Sequence, residues 1–147
     1  MDVYQLLKQD HQKARQLFKK LSDTTERAEK TRENLFTQLK QELELHTQVE
    51  EKHFYPALSD AAATKGLVKE ALEEHNEVKQ ALKALAKADV TAENWIKDVA
   101  ELQKNVEHHV EEEETELFPL AQKILDKAKA EQIAQAIEKD KAAAEAD

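Results

Sequence analysis

The stretch from His108 to Ala121 reads HHVEEEETELFPLA, with five glutamates among residues 111–116. A run of like charges is usually a solvated helix face or a disordered tail. This run, however, ends in Leu117, Phe118 and Leu120, which are typical core residues. The pattern therefore predicts a helix in which at least one of the acids points inward, and it raises the question of what that acid binds.

A second stretch, HTQVEEKHFYPAL, begins at His46 and resembles the first when His46 is aligned with His109. Each half also has an earlier segment, QDHQKARQLFKKL in the first and EEHNEVKQALKAL in the second. These two segments are similar and align His11 with His75, 64 residues apart. The other matched pairs lie 63 residues apart: His46 and His109, Glu50 and Glu113, and Pro56 and Pro119. Two such halves, related by a pseudo-twofold axis, would bring two equivalent sets of ligands into one core.

The composition is that of a helical protein. The 147 residues include one glycine, two prolines and 36% charged residues, and Leu, Ala, Glu, Lys and Gln are good helix formers. A formal charge of −9 argues against nucleic acids and anionic membranes as partners. Without cysteine there is neither a disulfide nor a thiolate metal site. The charged N-terminus is unlike a secretory signal, so a cytoplasmic location is expected.

Hydrophobic spacing predicts four long helices at about 2–21, 31–59, 66–88 and from 92 onwards, with Asp2 as the first N-cap. Short connections between long helices predict an all-α, up-down-up-down four-helix bundle over residues 1–125. Residues 126–147, with Ile133 and Ile137, predict a short amphipathic helix that either docks on the bundle or pairs with another subunit, so the chain is a monomer or a homodimer. The predicted inward apolar residues are Tyr4, Leu7, Ala14, Phe18, Leu21, Leu35, Leu39, Leu43, Phe54, Val68, Leu72, Val78, Leu82, Leu85, Trp95, Val99, Leu102, Val106 and Leu117.

One histidine lies on the inward stripe of each helix, because residues three and four apart share a helix face. Two acids continue these stripes one turn later, Glu50 after His46 and Glu113 after His109. Glu111, Glu112 and Glu116 are expected to be mostly solvated. The inward polar set is His11, His46, Glu50, His75, His109 and Glu113.

Buried carboxylates require a cation or another partner, and no inward Lys or Arg is evident apart from Lys79, four residues after His75. Imidazole and carboxylate ligands suit iron, manganese or zinc. Six ligands are too many for one tetrahedral zinc, but they suit two ions that each take two histidines and share the two glutamates. The alternative for any single histidine is a hydrogen-bonded core residue. Repetition of the whole set in both halves makes that explanation a poor one for all six.

Other candidates are weaker. His53 and His108 lie off the stripes and are expected at the surface or beside the ligands, and Tyr4 and Tyr55 are expected to be core or interface aromatics. Ferritin-like di-iron bundles use Glu-x-x-His on two helices. Only the spacing from Glu50 to His53 fits that pattern, because Glu116 replaces the histidine in the other half.

Residues 2–125 resemble the hemerythrin-like, or HHE cation-binding, family in the order His11, His46-x-x-x-Glu50, His75, His109-x-x-x-Glu113, with Tyr55-Pro56 and Phe118-Pro119 following. The resemblance implies a four-helix bundle around two iron ions joined by carboxylates and an oxo or hydroxo bridge. It implies His11 and His46 on one iron, His75 and His109 on the other, and both glutamates as bridges.

Lys79 departs from the oxygen-carrying members of that family, which have a histidine one turn after the third-helix histidine. The chain instead resembles bacterial relatives linked to peroxide, nitric oxide and iron handling. With two histidines, two carboxylate oxygens and one bridging oxygen, each iron would keep an open position. That favours peroxide disproportionation or nitric oxide chemistry over reversible dioxygen binding.

Two classes of function therefore remain at this point. One is a di-iron redox enzyme that acts on hydrogen peroxide or nitric oxide, with an electron donor that the sequence does not identify. The other is a protein that senses, carries or stores dioxygen, nitric oxide or iron without turnover. A structural bundle that holds zinc or a single ion is a third, weaker possibility.

Overall fold

The computed structural model describes residues 1–146, and these form an all-helical bundle. The four long helices are α1 (Val3–Ser22), α2 (Glu29–Val49), α3 (Lys65–Lys87) and α4 (Trp95–Glu112). Glu50–Phe54 is a π-helical segment that continues α2 and leads into a 3₁₀ turn, Tyr55–Ala57; Glu113–Leu117 is a second π-helical segment, followed by α5 (Phe118–Ile124). The chain ends in α6 (Lys127–Ala146).

The start of α1 is fixed by its cap. The Asp2 side chain accepts a hydrogen bond from the Gln5 backbone N–H at 2.9 Å, and the Gln5 side chain accepts one from the Asp2 backbone N–H at 3.2 Å. This capping box satisfies backbone donors that would otherwise lack partners, and it confirms Asp2 as the N-cap. The long helices pack in a ring, α1 on α2, α2 on α3, α3 on α4 and α4 on α1, so the predicted four-helix bundle is confirmed.

Most of the predicted inward apolar residues are buried, but Leu72 is a wrong prediction. Its side chain is 41% exposed. The buried stripe of α3 runs instead through Val68, Ala71, His75 and Val78, and these spacings leave Leu72 at the edge of the face. Leu35 is only half-buried as well, because the following Phe36 fills the core position.

Helix α6 docks on the bundle. Ala130, Ile133, Ala134 and Ile137 are buried in the same cluster as Val3 and other core residues of the long helices. Of the two predicted alternatives for this helix, docking is the one that the structure has. The division into residues 1–125 and 126–147 stays a prediction. No helix within the described part of the chain is both long enough and apolar enough to span a bilayer.

Candidate metal centre

The six inward polar residues predicted from the sequence meet in one buried cluster in the middle of the bundle. Glu50 and Glu113 are 0% and 2% exposed, and the four histidines are at most 7% exposed. Each long helix contributes one histidine, and each glutamate is the first residue of a π-helical segment. The members of the cluster are His11, His46, Glu50, His75, His109 and Glu113.

Each glutamate lies between histidines of the two halves. Glu50 Oε1 is 3.0 Å from His46 Nε2 and 3.2 Å from His75 Nε2. Glu113 lies 3.2 Å from His11 Nε2 through Oε1 and 3.3 Å from His109 Nε2 through Oε2. All four histidines therefore turn Nε2 towards a shared carboxylate, which is the arrangement that two neighbouring ions with carboxylate bridges require.

The possible ligand atoms fall into two groups. His11, His46, Glu50 and Glu113 can each offer one atom within 4.8 Å of the others, and so can Glu50, His75 and His109. The histidine pairs match those that the family resemblance implies, with ring centroids 5.0 Å apart for His11 and His46 and 4.8 Å apart for His75 and His109.

Two unsatisfied atoms test whether this cluster fits a cation. His46 Nε2 and Glu50 Oε2 are buried and have no hydrogen-bond partner among the residues that the structure describes, although His46 Nε2 lies close to Glu50 Oε1. Buried polar atoms without partners are rare because they lose their hydration without compensation. A bound cation would satisfy both atoms, and imidazole with carboxylate is a suitable donor set for iron, manganese or zinc. The residues present therefore fit a metal.

The two π-helical segments place the glutamates and the residues that follow them. The backbone N–H of Tyr55 bonds to the Glu50 carbonyl, and the N–H of Phe118 bonds to the Glu113 carbonyl, in both cases five residues back. Single π turns are often found at functional sites. Here they bring the fifth residue after each glutamate, Tyr55 in one half and Phe118 in the other, next to the cluster of six polar residues. Pro56 and Pro119 come next and lie in the first turn of the following element, the 3₁₀ turn in one half and α5 in the other, where a missing backbone donor is tolerated.

Tyr55 is a site residue that the sequence interpretation missed. Its buried hydroxyl donates a hydrogen bond to Glu113 Oε2 at 2.6 Å and lies 3.2 Å from Glu50 Oε1. The same oxygen is 3.2 Å from His75 Nε2 and 3.4 Å from His109 Nε2. The signal was the aligned pair Tyr55 and Phe118, where one half has an aromatic residue with a hydroxyl and the other half has one without. Tyr4 does not reach the cluster, and its ring packs edge-on against Phe118 with centroids 5.4 Å apart.

A ring of four outer carboxylates surrounds the histidines and was also missed. In each case a carboxylate accepts from Nδ1 of a histidine on another helix: Asp10 with His46 at 2.9 Å, Glu51 with His75 at 2.9 Å, Glu74 with His109 at 2.8 Å and Glu114 with His11 at 2.5 Å. Such contacts fix the tautomer that leaves Nε2 free, hold the ring orientation and raise the basicity of the ligand.

The outer ring follows the internal repeat. Asp10 precedes His11 as Glu74 precedes His75, and Glu51 follows Glu50 as Glu114 follows Glu113. Every outer acid thus adjoins one ligand in sequence but binds a different histidine in space. Glu114 belongs to the run of five glutamates, so that run supplies both an inner acid, Glu113, and an outer one. Glu111 and Glu116 are exposed as predicted, and Glu112 is half-buried.

The sequence matches the family described as Hemerythrin HHE cation binding domain over residues 2–121. The chain belongs to this family. Among solved structures, the HHE domain is similar to a Hemerythrin HHE cation binding domain-containing protein from Mycobacterium kansasii. The two are 26% identical, with a TM-score of 0.82 over 97% of this chain and 89% of the other. A search of curated proteins finds no match.

Three further residues of the HHE domain lie outside the cluster. His108 is 65% exposed and lies 2.9 Å from Glu112, and His53 bonds to Asp140 at 2.7 Å, so neither joins the ligands. Lys79 is 44% exposed, and its Nζ lies 3.3 Å from Glu51 Oε2. Lys79 therefore contacts an outer carboxylate and does not point into the centre.

The charges of the site are strongly coupled. Burial disfavours the His46 imidazolium, but Glu50 and Asp10 outweigh burial and raise the His46 pKa to about 10. For His109 the same balance, with Glu113 and Glu74 as the acids, raises the pKa to about 11. Burial opposes ionisation of Glu113, yet hydrogen bonds from His109 and His11 lower its pKa well below the usual range. In the metal-free protein at neutral pH, imidazolium protons thus occupy places that a metal would take.

Proposed function

We propose that this HHE domain is a non-haem di-iron protein that consumes hydrogen peroxide or nitric oxide. His11 and His46 would hold one iron, His75 and His109 the other, and Glu50 and Glu113 would be shared; manganese or zinc are possible substitutes. Two adjacent iron ions can together accept and return two electrons, the number by which peroxide differs from water and from dioxygen. In disproportionation one peroxide is oxidised to dioxygen while another is reduced to two waters, so no outside donor is needed. Reduction of nitric oxide would need an electron donor.

The cavity beside the histidines is the observation that carries this proposal. It has a volume of about 20 Å³ and lies between the four histidines and an apolar wall that includes Ala14, Leu43, Val78, Val106 and Val110. This is room for roughly one water-sized molecule. Peroxide, nitric oxide and dioxygen are small enough for such a space, whereas organic substrates are not. The apolar wall also limits the access of water to the reacting atoms.

The protein residues have distinct roles in this proposal. The outer acids hold each imidazole so that Nε2 faces the metal, and the shared glutamates keep the two ions adjacent. Tyr55 holds a proton on its hydroxyl, because burial together with the charges of Glu113 and Glu50 raises its pKa well above the ordinary value. That hydroxyl donates to Glu113 Oε2 and lies 3.2 Å from Glu50 Oε1, so it holds the two shared carboxylates in place beside the histidines.

Reversible binding of dioxygen or nitric oxide is the second candidate, and Tyr55 is the residue that favours it. The Tyr55 oxygen lies within 3.4 Å of Nε2 of both His75 and His109. If the Tyr55 oxygen served as an additional ligand beside His75 and His109, a small molecule would bind only beside His11 and His46. A single open position is the arrangement that suits a carrier or a sensor.

The experiment compares iron-loaded and zinc-loaded protein. Dioxygen evolution is measured after hydrogen peroxide is added to the diferric form, and the optical spectrum is followed after the diferrous form is mixed with air. The proposal expects dioxygen evolution over many turnovers and no long-lived adduct with air. Zinc-loaded protein is the control, since zinc has no redox chemistry. A stable, reversible adduct with dioxygen and no turnover of peroxide would favour the carrier over the enzyme.

A further inference from the structure

Helix α6 contributes a lysine to the surroundings of the six-residue cluster. Lys141 is largely buried, with its side chain 13% exposed, and its ammonium donates to Asp10 Oδ1. The other oxygen of Asp10 accepts from His46 Nδ1 at 2.9 Å. Asp10 is itself 4% exposed, so its carboxylate bridges the lysine and the histidine inside the protein. The sequence interpretation expected no such lysine.

The residue before Lys141 makes a second contact with the same half of the site. Asp140 accepts from His53 at 2.7 Å and lies 3.1 Å from Lys52. Lys52 and His53 belong to the π-helical segment that begins with Glu50. Two consecutive residues of α6 therefore contact both the outer carboxylate of His46 and the segment that carries Glu50.

The other half of the site has a different arrangement. Glu74 is the counterpart of Asp10. Its Oε2 lies 3.7 Å from His108 Nε2, and the His108 side chain is 65% exposed. Helix α6 packs on α1, α2 and the π-helical segment after Glu50, all in the first half. A buried ammonium on an outer carboxylate is thus a feature of the His46 side.

We propose that Lys141 is a positioning residue that fixes Asp10 and, through Asp10, the His46 ring, so that α6 controls how firmly the ion between His11 and His46 is held. This inference rests on the proposed binding of two ions. A carboxylate with one oxygen fixed by an ammonium can rotate less than a free one. The Nδ1 hydrogen bond then keeps His46 Nε2 aimed at its ion. Loss of an outer partner typically lowers metal affinity about 10- to 100-fold.

Packing of α6 alone would act differently. The apolar face of α6, including Ile133 and Ile137, packs against the bundle independently of Lys141. If Lys141 merely helped that docking, its replacement would loosen the whole helix and would affect both ions through general destabilisation. A positioning role affects one ion, and it acts only through Asp10.

The test uses the 147-residue chain loaded with zinc, which is diamagnetic and redox-inert. Lys141→Met removes the ammonium but keeps most of the apolar stem, and Lys141→Arg restores a cation. Lys139→Met is the matched control, because Lys139 is an exposed lysine of the same helix. Release of zinc to a chelator is followed in time. Histidine ring NMR reports the exchange rate of the His46 Nδ1 proton with water.

Lys141→Met is expected to speed the release of one of the two zinc ions by about tenfold or more and to speed exchange of the His46 Nδ1 proton. The exchange rate of the His109 Nδ1 proton should be unchanged, and Lys139→Met should release zinc as the wild type does. Lys141→Arg should restore most of the wild-type zinc retention. In the background of Asp10→Asn, replacing Lys141 should add little, because the two act in series.

Three outcomes would overturn the inference. Equal behaviour of Lys141→Met and Lys139→Met would show that the ammonium does not position His46. Equal acceleration of both ions, with a lower melting temperature, would assign Lys141 to packing. A wild-type protein that holds fewer than two ions would refute the proposed di-metal centre and the inference together, whereas the first two outcomes leave that centre intact.

Discussion

The two halves of the bundle carry the same inner ligands in the same register, yet their surroundings differ. Tyr55 follows Glu50 by one π turn and its hydroxyl enters the cluster, whereas Phe118 follows Glu113 and its ring stacks near His11 with centroids 6.3 Å apart. Lys141 reaches the outer acid of His46, and no ammonium reaches that of His109 among the described residues. Internal repetition thus accounts for the repeated set of possible metal ligands, and the differences between the halves give the two groups of ligands unequal environments.

Replacing either shared glutamate should have the largest effect. We expect Glu50→Ala and Glu113→Ala each to lower metal content from two ions per chain to fewer than one, because each carboxylate lies between histidines of both halves. Metal analysis after iron loading measures this. Glu111→Ala, at an exposed position of the same glutamate run, is the control. Loss of a single ion from either variant would mean that the glutamates are not shared.

Replacing one histidine should affect one ion. His109→Ala is expected to remove most of one iron per chain, since Nε2 of His109 belongs to one of the two ligand groups. Its sequence neighbour His108 is 65% exposed, so His108→Ala should leave the metal content nearly unchanged. The reverse result would place the wrong histidine in the site.

Removal of metal should lower the free energy of unfolding, and the difference between the metal-loaded and metal-free forms should grow as the pH rises. A ligand present at about 1,000 times its dissociation constant stabilises the folded state by about 4 kcal/mol. The His46 pKa of about 10 is raised above its unfolded value. The imidazolium therefore stabilises the metal-free protein fully below about pH 6.5 and loses this effect as the pH rises through about 10. Metal binding must displace the same protons, so metal affinity rises over that range.

Melting curves of the metal-free and metal-loaded forms at several pH values measure this difference. The imidazolium ions compensate part of the negative charge that the glutamates bring, so the metal-free protein should still fold at neutral pH. Equal melting temperatures across the range, with metal content confirmed, would contradict a buried six-ligand centre.

Removing the Tyr55 hydroxyl should make the halves more alike. Tyr55→Phe takes away a hydrogen bond to the ionised Glu113 and should lower the free energy of unfolding of the metal-free protein by about 1.5–3 kcal/mol. Tyr4→Phe is the matched control, because the buried Tyr4 hydroxyl has no hydrogen-bond partner within residues 1–146; its effect should be below about 0.5 kcal/mol. Denaturant unfolding compares the two, and an equal loss from both would show that the Tyr55 contact contributes nothing.

The smallest effect is expected at Lys79. Lys79 and Glu51 form an ion pair, and their side chains are 44% and 30% exposed. Exposed ion pairs contribute about 0–1 kcal/mol to the free energy of unfolding. Lys79→Met should therefore change neither metal content nor melting temperature appreciably. Release of the ion held by His75 from this variant would show that an exposed lysine can orient an outer acid as the buried Lys141 is proposed to do.

The sequence was sufficient for the bundle and for the cluster of six polar residues, because helical periodicity and the internal repeat constrain both. It was insufficient for the outer acids. Asp10 and Glu114 adjoin ligands in the chain, but the histidines that they bind lie on other helices, and that choice depends on how the helices pack. The inward turn of Tyr55 depends on a π turn that a 3.6-residue period does not describe. The prediction that Leu72 points inward was wrong because a small residue, Ala71, occupies the buried position on that turn of α3.

The ring of outer acids also has a consequence for how the molecule assembles. Three of its contacts join helices that are neighbours in the chain, with separations of 24, 35 and 36 residues. The fourth, between His11 and Glu114, spans 103 residues and forms only when α4 returns to α1. Closing so long a loop costs more entropy than the short ones and is slow. A nascent chain emerging from the ribosome therefore cannot complete the ring of outer acids until α4 has been made, so all four histidines are held in place only in the finished bundle.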